Sequence, residues 1–335
     1  MNEPKRPLTV AALPRTLYLE TTNRCDSKCQ TCIRTFLTNE PPKDLTLVEL
    51  KGIVDQFPVL ERVVLHGIGE PLLNHELFEM IAYLKAKGTS VVFNSDTISL
   101  TPKRTLQLIE SGLDEFRVSM DGATRETYEK IRGVDQFDRV VENVRHLLGQ
   151  QRKLERQTPR VSLWFTAIKA NLEELPALVR LAAQIGVREV YVQRLVYNSL
   201  GMAVAEQSLY RTLQEREQRL IEEADGLARD FGIAFKASGL TTPMASLQGT
   251  ELASRPWSGC QRPWTLSYVT ANGNVLPCCI APFSAKNYRG ALLGNAFTED
   301  FMSVWNGERY ERFREMFESD APPDPCRGCG LLWSI

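Results

Sequence analysis

Three cysteines crowd one short stretch of the 335-residue chain: Cys25, Cys29 and Cys32, spaced C-x3-C-x2-C within Thr21-Thr22-Asn23-Arg24-Cys25-Asp26-Ser27-Lys28-Cys29-Gln30-Thr31-Cys32. Thiolates are metal ligands, but three of them do not complete a structural zinc site or a fully protein-ligated iron–sulfur centre, both of which want four. The arithmetic points to a cluster with one iron left open to something that is not protein. Five more cysteines, Cys260, Cys278, Cys279, Cys326 and Cys329, lie near the C-terminal end, and none lies between the two groups. Met1 to Pro14 contains no apolar run of signal-peptide length. Two distant thiol groups in such a chain fit metal binding better than a disulfide framework.

The elements that must position these thiols alternate along the chain. A short apolar strand, Leu17 to Leu19, precedes the cysteine loop. A helix carrying Leu47, Leu50, Val54 and Phe57 follows, behind a Thr46…Glu49 capping box. Strand Arg62 to Leu65 runs into His66-Gly67-Ile68-Gly69-Glu70-Pro71. Asn74 is placed to cap the next helix, strand Ser90 to Phe93 ends at Asn94-Ser95-Asp96, and Thr101-Pro102 starts another helix. Strand Phe116 to Met120 ends at Asp121-Gly122. A fifth strand is expected at about 161–168 and a sixth at about 190–195, separated by a helix with an Asn171…Glu174 capping box and a Gly186 stop. A charged helix is expected over about 205–231.

Strands that read as β-branched runs, each followed by a helix, predict an α/β fold with parallel strands buried on both faces. Six such units predict a partial (β/α)6 TIM-like barrel, whose functional residues gather at the C-terminal ends of the strands. The expected division is an N-terminal extension (1–15), the barrel (16–236), a linker rich in small residues and proline (237–256) and a small C-terminal α+β iron–sulfur module (257–335). In that module Asn272-Gly273 signals a hairpin between 264–269 and 275–276, and an amphipathic helix is expected over about 301–317.

Hydrophobic content of 43% and charged content of 24% are those of an ordinary globular protein. The formal net charge of −1 gives no reason to expect nucleic acid or an anionic membrane as partner, and no stretch reaches the roughly 20 apolar residues of a membrane span. A cytoplasmic protein is the expectation. The three histidines, His66, His75 and His146, share no metal-site spacing; His66 stands where it could line a cavity beside the glycine-rich turn.

The C-x3-C-x2-C loop after a first strand, with Gly69-Glu70-Pro71 after the second, resembles the radical S-adenosylmethionine (radical SAM) enzymes over about residues 15–198. The resemblance implies a [4Fe–4S] cluster held by Cys25, Cys29 and Cys32. SAM would chelate the open iron and be cleaved reductively to a 5′-deoxyadenosyl radical that abstracts a substrate hydrogen. It also implies a low-potential electron donor such as flavodoxin or ferredoxin. One position departs from the family pattern: Thr31 stands where an aromatic residue usually precedes the third cysteine. Gly69 and Glu70 look like the turn that receives the SAM amino group. Ser119 and Asp121, then Asn94, Ser95 and Gln193, are further SAM-contact candidates, although strand-end residues of these types also cap turns.

The C-terminal cysteines resemble the SPASM and shorter "twitch" extensions of the same superfamily. Cys260-x17-Cys278 and Cys326-x2-Cys329 would supply four thiolates to one auxiliary [4Fe–4S] cluster; spacing alone leaves a four-cysteine zinc site open. Cys279 is the spare, either a packed thiol or a hydrogen-atom donor to a substrate radical. Arg194 and Tyr197 are candidates for substrate contact. The single-cluster layout resembles that of aminoglycoside-pathway dehydrogenases. It leads to the expectation of an oxidoreductase or epimerase acting on a small polar molecule, such as a carbohydrate, aminocyclitol or nucleoside-like intermediate. Peptide or protein maturation is the second reading, and a non-catalytic metal-binding scaffold the third.

Overall fold

The computed structural model describes residues 6–239, 241–249, 256–317, 319–327 and 329. One sheet organises them. Its strands are β1 (Thr16–Leu19), β2 (Arg62–Val64), β3 (Ser90–Ser95), β4 (Glu115–Ser119), β5 (Arg160–Ala167), β6 (Glu189–Arg194), β7 (Ala234–Ala237), β8 (Leu266–Val269), β9 (Asn274–Leu276) and β10 (Gly294–Asn295). Their order is β10-β9-β8-β1-β2-β3-β4-β5-β6-β7. Neighbours from β8 through β1 to β7 are parallel, and only the β8–β9–β10 pairings are antiparallel.

The helices between parallel strands are α1 (Leu47–Val54), α2 (Leu77–Ala86), α3 (Pro102–Glu110), α4 (Arg125–Arg132), α5 (Phe137–Lys153), α6 (Leu175–Ile185) and α7 (Glu215–Asp230). Beyond β7 come α8 (Pro243–Gln248), α9 (Arg262–Thr265), α10 (Ala281–Ser284), α11 (Phe301–Trp305), α12 (Glu308–Phe317) and α13 (Asp324–Arg327). Thr46 and Glu49 form the expected capping box, Thr101 caps α3 ahead of Pro102, and Gly186 ends α6 at φ 88°.

Alternation along the strands explains the layering. Leu17 and Leu19, Phe116 and Val118, Leu163 and Phe165, and Val190 and Val192 are buried in the main core cluster with residues of the helices, such as Leu50, Leu84, Val144 and Leu178. The residues between them, Tyr18, Arg117, Trp164 and Tyr191, line the cavity on the other face. The strands are therefore not apolar on both faces. One face is a hydrocarbon core, and the other carries rings and charges.

Several local expectations change. A seventh parallel strand, β7, extends the six, and the expected linker contains helix α8. The helix expected over 205–231 begins only at Glu215, where Gln214 and Glu217 make their own capping box. Asn171 and Glu174 make no capping box. The Glu174 carboxylate accepts from the Ala123 (2.6 Å) and Thr124 (3.0 Å) amides and the Thr127 hydroxyl (2.6 Å), so it fixes the loop between β4 and α4 instead. Trp264 and Thr265 lie in α9, not in the strand. The helix expected over 301–317 breaks at Asn306-Gly307 into α11 and α12.

The C-terminal segment joins the sheet directly, with β8 in parallel register beside β1, Thr16 opposite Leu266. Glu40, in the loop after the cysteines, fastens it further. Its carboxylate accepts from the side-chain amides of Asn272 (2.9 Å) and Asn274 (2.8 Å) and from the Tyr288 hydroxyl (2.7 Å). Gly273 turns the β8–β9 hairpin at φ 82°, a conformation glycine adopts without a Cβ penalty. No helix among the described residues is long and apolar enough to cross a membrane.

Candidate active site

A cavity of about 310 Å³ lies against the polar face of the sheet and is lined by residues from strands as far apart as β1 and β6, so the sheet must curl around it. Cys25, Cys29 and Cys32 line one end. Their loop is held mainly by backbone bonds to its neighbours. The Lys28 and Gln30 amides donate to the Arg132 (3.1 Å) and Ile131 (2.7 Å) carbonyls, and the Met202 amide donates to the Gln30 carbonyl (2.7 Å). Arg34 donates to the Asn23 and Cys25 carbonyls, each at 3.0 Å.

Burial is the main cause that pushes all three thiols up, Cys29 to about 12. Deprotonated sulfurs are thus unfavourable there without a compensating cation. Three converging thiols on a loop whose backbone is otherwise engaged fit a metal cluster. Asp96 stands beside them: it accepts from the Ser27 hydroxyl at 2.7 Å and lies 3.9 Å from the Cys25 sulfur. Burial, then Asp26, pushes the Asp96 carboxyl up to about 6.

The Gly69-Glu70 turn is pressed onto the exit of β1. A Cβ at Gly69 would stand 2.0 Å from the Thr22 carbonyl oxygen, and the Glu70 amide donates to the Arg24 carbonyl at 2.8 Å. Only glycine permits this approach. The Glu70 carboxylate accepts from the Leu72 amide (2.9 Å), the Ser95 hydroxyl (2.8 Å) and the Asp96 amide (2.7 Å). It therefore ties the end of β2 to the end of β3. Burial, then Asp96, raises its pKa well above the usual carboxylate range. Asp121 is held between the Thr166 amide (2.8 Å) and the Arg132 guanidinium (3.1 Å).

Gly69, Glu70, Asn94, Ser95, Ser119, Asp121 and Gln193 all line the cavity, as expected from their strand ends, and so does His66. Arg194 and Tyr197 are not among the lining residues. Arg194 follows Gln193 and so points to the other face, where its Nε donates to the Ser246 hydroxyl at 3.0 Å and its guanidinium stacks 4.5 Å from the Tyr210 ring. Tyr197 packs with Ile131, Ile168, Leu195 and Ala203 and donates its hydroxyl to Ser208.

Sequence reasoning missed the residues that fill the deeper part of the cavity. Arg117 stacks on Trp164 at 4.3 Å, and Trp164 stacks on Tyr191 at 4.0 Å. Beneath them Glu115 is ion-paired with Arg117 (3.0 Å) and Arg160 (3.1 Å). Tyr18, Arg262 and Phe283 complete this group, and Arg132, also missed, lines the cavity beside Asp121 and Cys29. A signal was available: Arg117, Trp164 and Tyr191 each stand two residues before Ser119, Thr166 and Gln193, on the same face of their strands.

The far end of the cavity touches the second group of cysteines. Burial and the mutual proximity of the sulfurs raise Cys278 and Cys326. The neighbours acting on Cys326 are Cys278, Cys329 and Cys260, so the structure brings the four expected ligands together. Arg262 donates toward the Cys260 sulfur at 3.9 Å and also lines the cavity. Cys279 lines the cavity too, hydrogen-bonded with Tyr18 and close to Arg262; burial raises its thiol while both neighbours oppose that rise. Four sulfurs beside a guanidinium fit an anionic cluster, and a fifth sulfur, that of Cys279, lies close to them and also lines the cavity.

The comparisons agree with this geometry. Residues 19–154 match the Radical SAM superfamily model, and residues 260–330 match the SPASM model, an iron–sulfur cluster-binding domain. The AdoMet-dependent heme synthase of Methanosarcina barkeri is 26% identical over 334 residues, covering 95% of this chain and 88% of its own. The mycofactocin maturase MftC of Mycolicibacterium smegmatis is 26% identical over 322 residues, covering 95% of this chain and 76% of its own. Among solved structures, SuiB of Streptococcus suis bound to S-adenosylmethionine superposes with a TM-score of 0.70 at 17% identity, over 97% of this chain and 72% of that one. The fold is thus shared with radical SAM structures, and the two domains imply SAM, a [4Fe–4S] cluster and an auxiliary iron–sulfur centre. The chain belongs to the radical SAM superfamily, as an enzyme whose C-terminal end carries a SPASM-type iron–sulfur cluster-binding domain.

Proposed function

We propose that this enzyme oxidises or epimerises a small polar substrate held between its two groups of cysteines. One observation carries the reading: a single cavity runs from Cys25, Cys29 and Cys32 to Cys279 and Arg262, which flank the second group. Cys25, Cys29 and Cys32 hold the first cluster, and Cys260, Cys278, Cys326 and Cys329 hold the auxiliary one. When bound, the first cluster would supply the single electron for reductive cleavage of SAM and so give the site its hydrogen-abstracting chemistry.

The chain's own residues do the rest. The Gly69-Glu70 turn offers backbone carbonyls to the SAM amino group, while the Glu70 carboxylate keeps that turn and the β3 end in place. Ser119, Asp121, Asn94, Ser95 and Gln193 would offer hydrogen bonds to SAM, and Arg132, on the same stretch of wall, would supply a positive charge there. Tyr18, Trp164, Tyr191 and Phe283 exclude water from the deeper part. The electron enters from a low-potential donor such as a flavodoxin or ferredoxin.

The Cys279 thiol separates the two outcomes. If it returns a hydrogen atom to the substrate carbon, the product is an epimer, and the thiyl radical left on Cys279 would need one electron and one proton, the electron by way of the auxiliary cluster, to become a thiol again. If it does not, the substrate radical would give a second electron to the auxiliary cluster and a proton to solvent, and so be oxidised. The test is anaerobic reconstitution with iron and sulfide, reduction in the presence of SAM, and assay of 5′-deoxyadenosine. Wild type should form it and Cys25→Ala should not; formation by Cys25→Ala would overturn the reading. With a turned-over substrate, Cys279→Ala should abolish epimer and leave oxidation intact.

A second reading, modification of a peptide, is favoured by MftC, a maturase, and by the SuiB structure described as bound to its precursor peptide SuiA. Copurification of a short peptide with the enzyme, followed by its SAM-dependent change in mass, would replace the first reading with this one.

A further inference from the structure

We infer that the deep wall of the cavity is a carboxylate-binding site, and that the substrate is a small molecule presenting a carboxylate to Arg262, Arg117 and His66. The inference rests on reading this cavity as the substrate site and goes on to name the chemistry recognised there.

The wall is asymmetric in charge. Among the described residues, the carboxylates that line the cavity, Glu70, Asp96 and Asp121, belong to the end occupied by Cys25, Cys29 and Cys32, where Arg132 pairs with Asp121. The far end presents Arg117 and Arg262 among the rings of Tyr18, Trp164, Tyr191 and Phe283, with no lining carboxylate among the described residues; Arg262 also stands beside the sulfurs of Cys260, Cys278 and Cys279, which share its charge. Arg117 is not neutralised by its own partner alone. The buried Glu115 also pairs with Arg160, and its carboxyl is held below the usual range by Arg117, Arg160 and Arg62 together, so one carboxylate serves three guanidiniums. Glu189 lies 3.9 Å from Arg160 and is itself bound by Lys236 at 2.7 Å, leaving the floor of the barrel positive.

His66 adds a donor. Its Nδ1 is buried, lacks a hydrogen-bond partner among the described residues, and belongs to a ring facing Phe283 across 6.1 Å. Burial and Arg117 hold its pKa down to about 4, so it stands as a neutral imidazole with one N–H to give. Two guanidiniums and an unpartnered imidazole nitrogen, set among aromatic rings, match a carboxylate on an apolar body. They disfavour an ammonium, and so count against an aminocyclitol.

Cys279 is a reporter built into that wall. In the anaerobically reconstituted holoenzyme it is the one cysteine not assigned to a cluster. Iodoacetate and iodoacetamide alkylate it by the same step: the sulfur attacks the CH2 carbon, the S–C bond forms, the C–I bond breaks and iodide leaves. They differ in the carboxylate. Labelling at Cys279 is followed by peptide mass spectrometry, and the iodoacetate-to-iodoacetamide rate ratio is normalised to that of N-acetylcysteine. A cationic cavity wall should raise the normalised ratio on the order of 10-fold or more. Arg262→Gln should bring it towards unity, and Arg262→Lys should keep most of it. Any change in the reactivity of the sulfur itself affects both reagents and cancels.

A ratio near unity in wild type, or no labelling by either reagent, overturns the proposal. An N-iodoacetyl dipeptide with a free C-terminal carboxylate forms the second arm. Labelling much slower than by iodoacetate is expected, and equal labelling would overturn the small-molecule assignment in favour of a peptide end. Neither arm needs SAM turnover, so this proposal and the proposed radical chemistry fail separately.

Discussion

Glu20 and Ala271, 251 residues apart, are joined by a hydrogen bond of 3.1 Å from the Ala271 amide to the Glu20 carboxylate. The same carboxylate accepts from the Ile68 amide (2.8 Å) and the Tyr268 hydroxyl (3.2 Å). One buried acid thus holds together the end of β1, the turn that leads to Gly69 and Glu70, and the β8–β9 hairpin.

This junction should titrate. Burial, reinforced by Glu40 and opposed by the Ala271 and Ile68 amides, pushes Glu20 from 4.5 up to about 7. The folded state therefore holds a proton that the unfolded chain releases at lower pH. The Glu20 contribution is most favourable below about 4.5 and is lost as pH rises through about 7, a change on the order of 3 kcal/mol. Denaturant unfolding of wild type and Glu20→Gln at a series of pH values measures it. The stability of wild type relative to the variant should fall between pH 5 and 8, and a flat difference would show that Glu20 does not titrate in that range. Glu20→Ala should cost about 1–3 kcal/mol at pH 5, because three donors lose their acceptor, and progressively less as pH rises through about 7.

Gly69→Ala should uncouple the turn from the cysteine loop. The added methyl would meet the Thr22 carbonyl at 2.0 Å, and Thr22 leads directly into Cys25. Loss of SAM binding by at least about 10-fold is expected from a misplacement of this kind. Equilibrium dialysis with labelled SAM on the reconstituted variant checks it; wild-type affinity would mean that the turn can move without consequence.

Cys278 and Cys279 are adjacent in sequence and should behave oppositely. Two clusters of four irons give about eight irons per chain, and Cys278→Ala should reduce that towards about four after mild chelation. Cys279→Ala should leave the iron count unchanged. Equal loss in both variants would make Cys279 a ligand and remove it from the cavity chemistry.

Trp164→Ala should destabilise the fold by about 1–3 kcal/mol, less than a fully buried ring would cost, because this ring is half-buried on the cavity wall. The ring lies between the Arg117 guanidinium and Tyr191, so its loss also deprives that cation of its stacking partner. Trp164→Phe should recover more than half of the loss in denaturant unfolding.

Much of the site was legible because it sits where a strand ends and a loop begins. Cys25, Glu70, Asn94, Ser119, Asp121 and Gln193 announce themselves by position, and the structure places each on the cavity. Arg194 shows the limit of that reasoning. It is one residue beyond Gln193, and a one-residue step on a strand reverses the face. Trp164 and Tyr191 were hidden for the complementary reason: their strands are apolar enough to pass as buried on both sides. Arg132 closes a helix and Arg262 begins one, so neither has a strand to place it. Asn171 and Glu174 had the right spacing for a capping box, but their side chains bind the loop after β4. The pairing of β8 with β1 has no local signature, because the two partners are remote in sequence.

That pairing sets an order on the making of the protein. β1 has β2 on one side almost as soon as it is made, but its other neighbour emerges roughly 250 residues later, about 12–50 s behind at ordinary synthesis rates. During that interval the strand leading into the Cys25–Cys32 loop presents an unpaired edge, open to pairing with a neighbouring nascent chain. The segment that carries β8 thus arrives long after β1 and is the one that closes its edge.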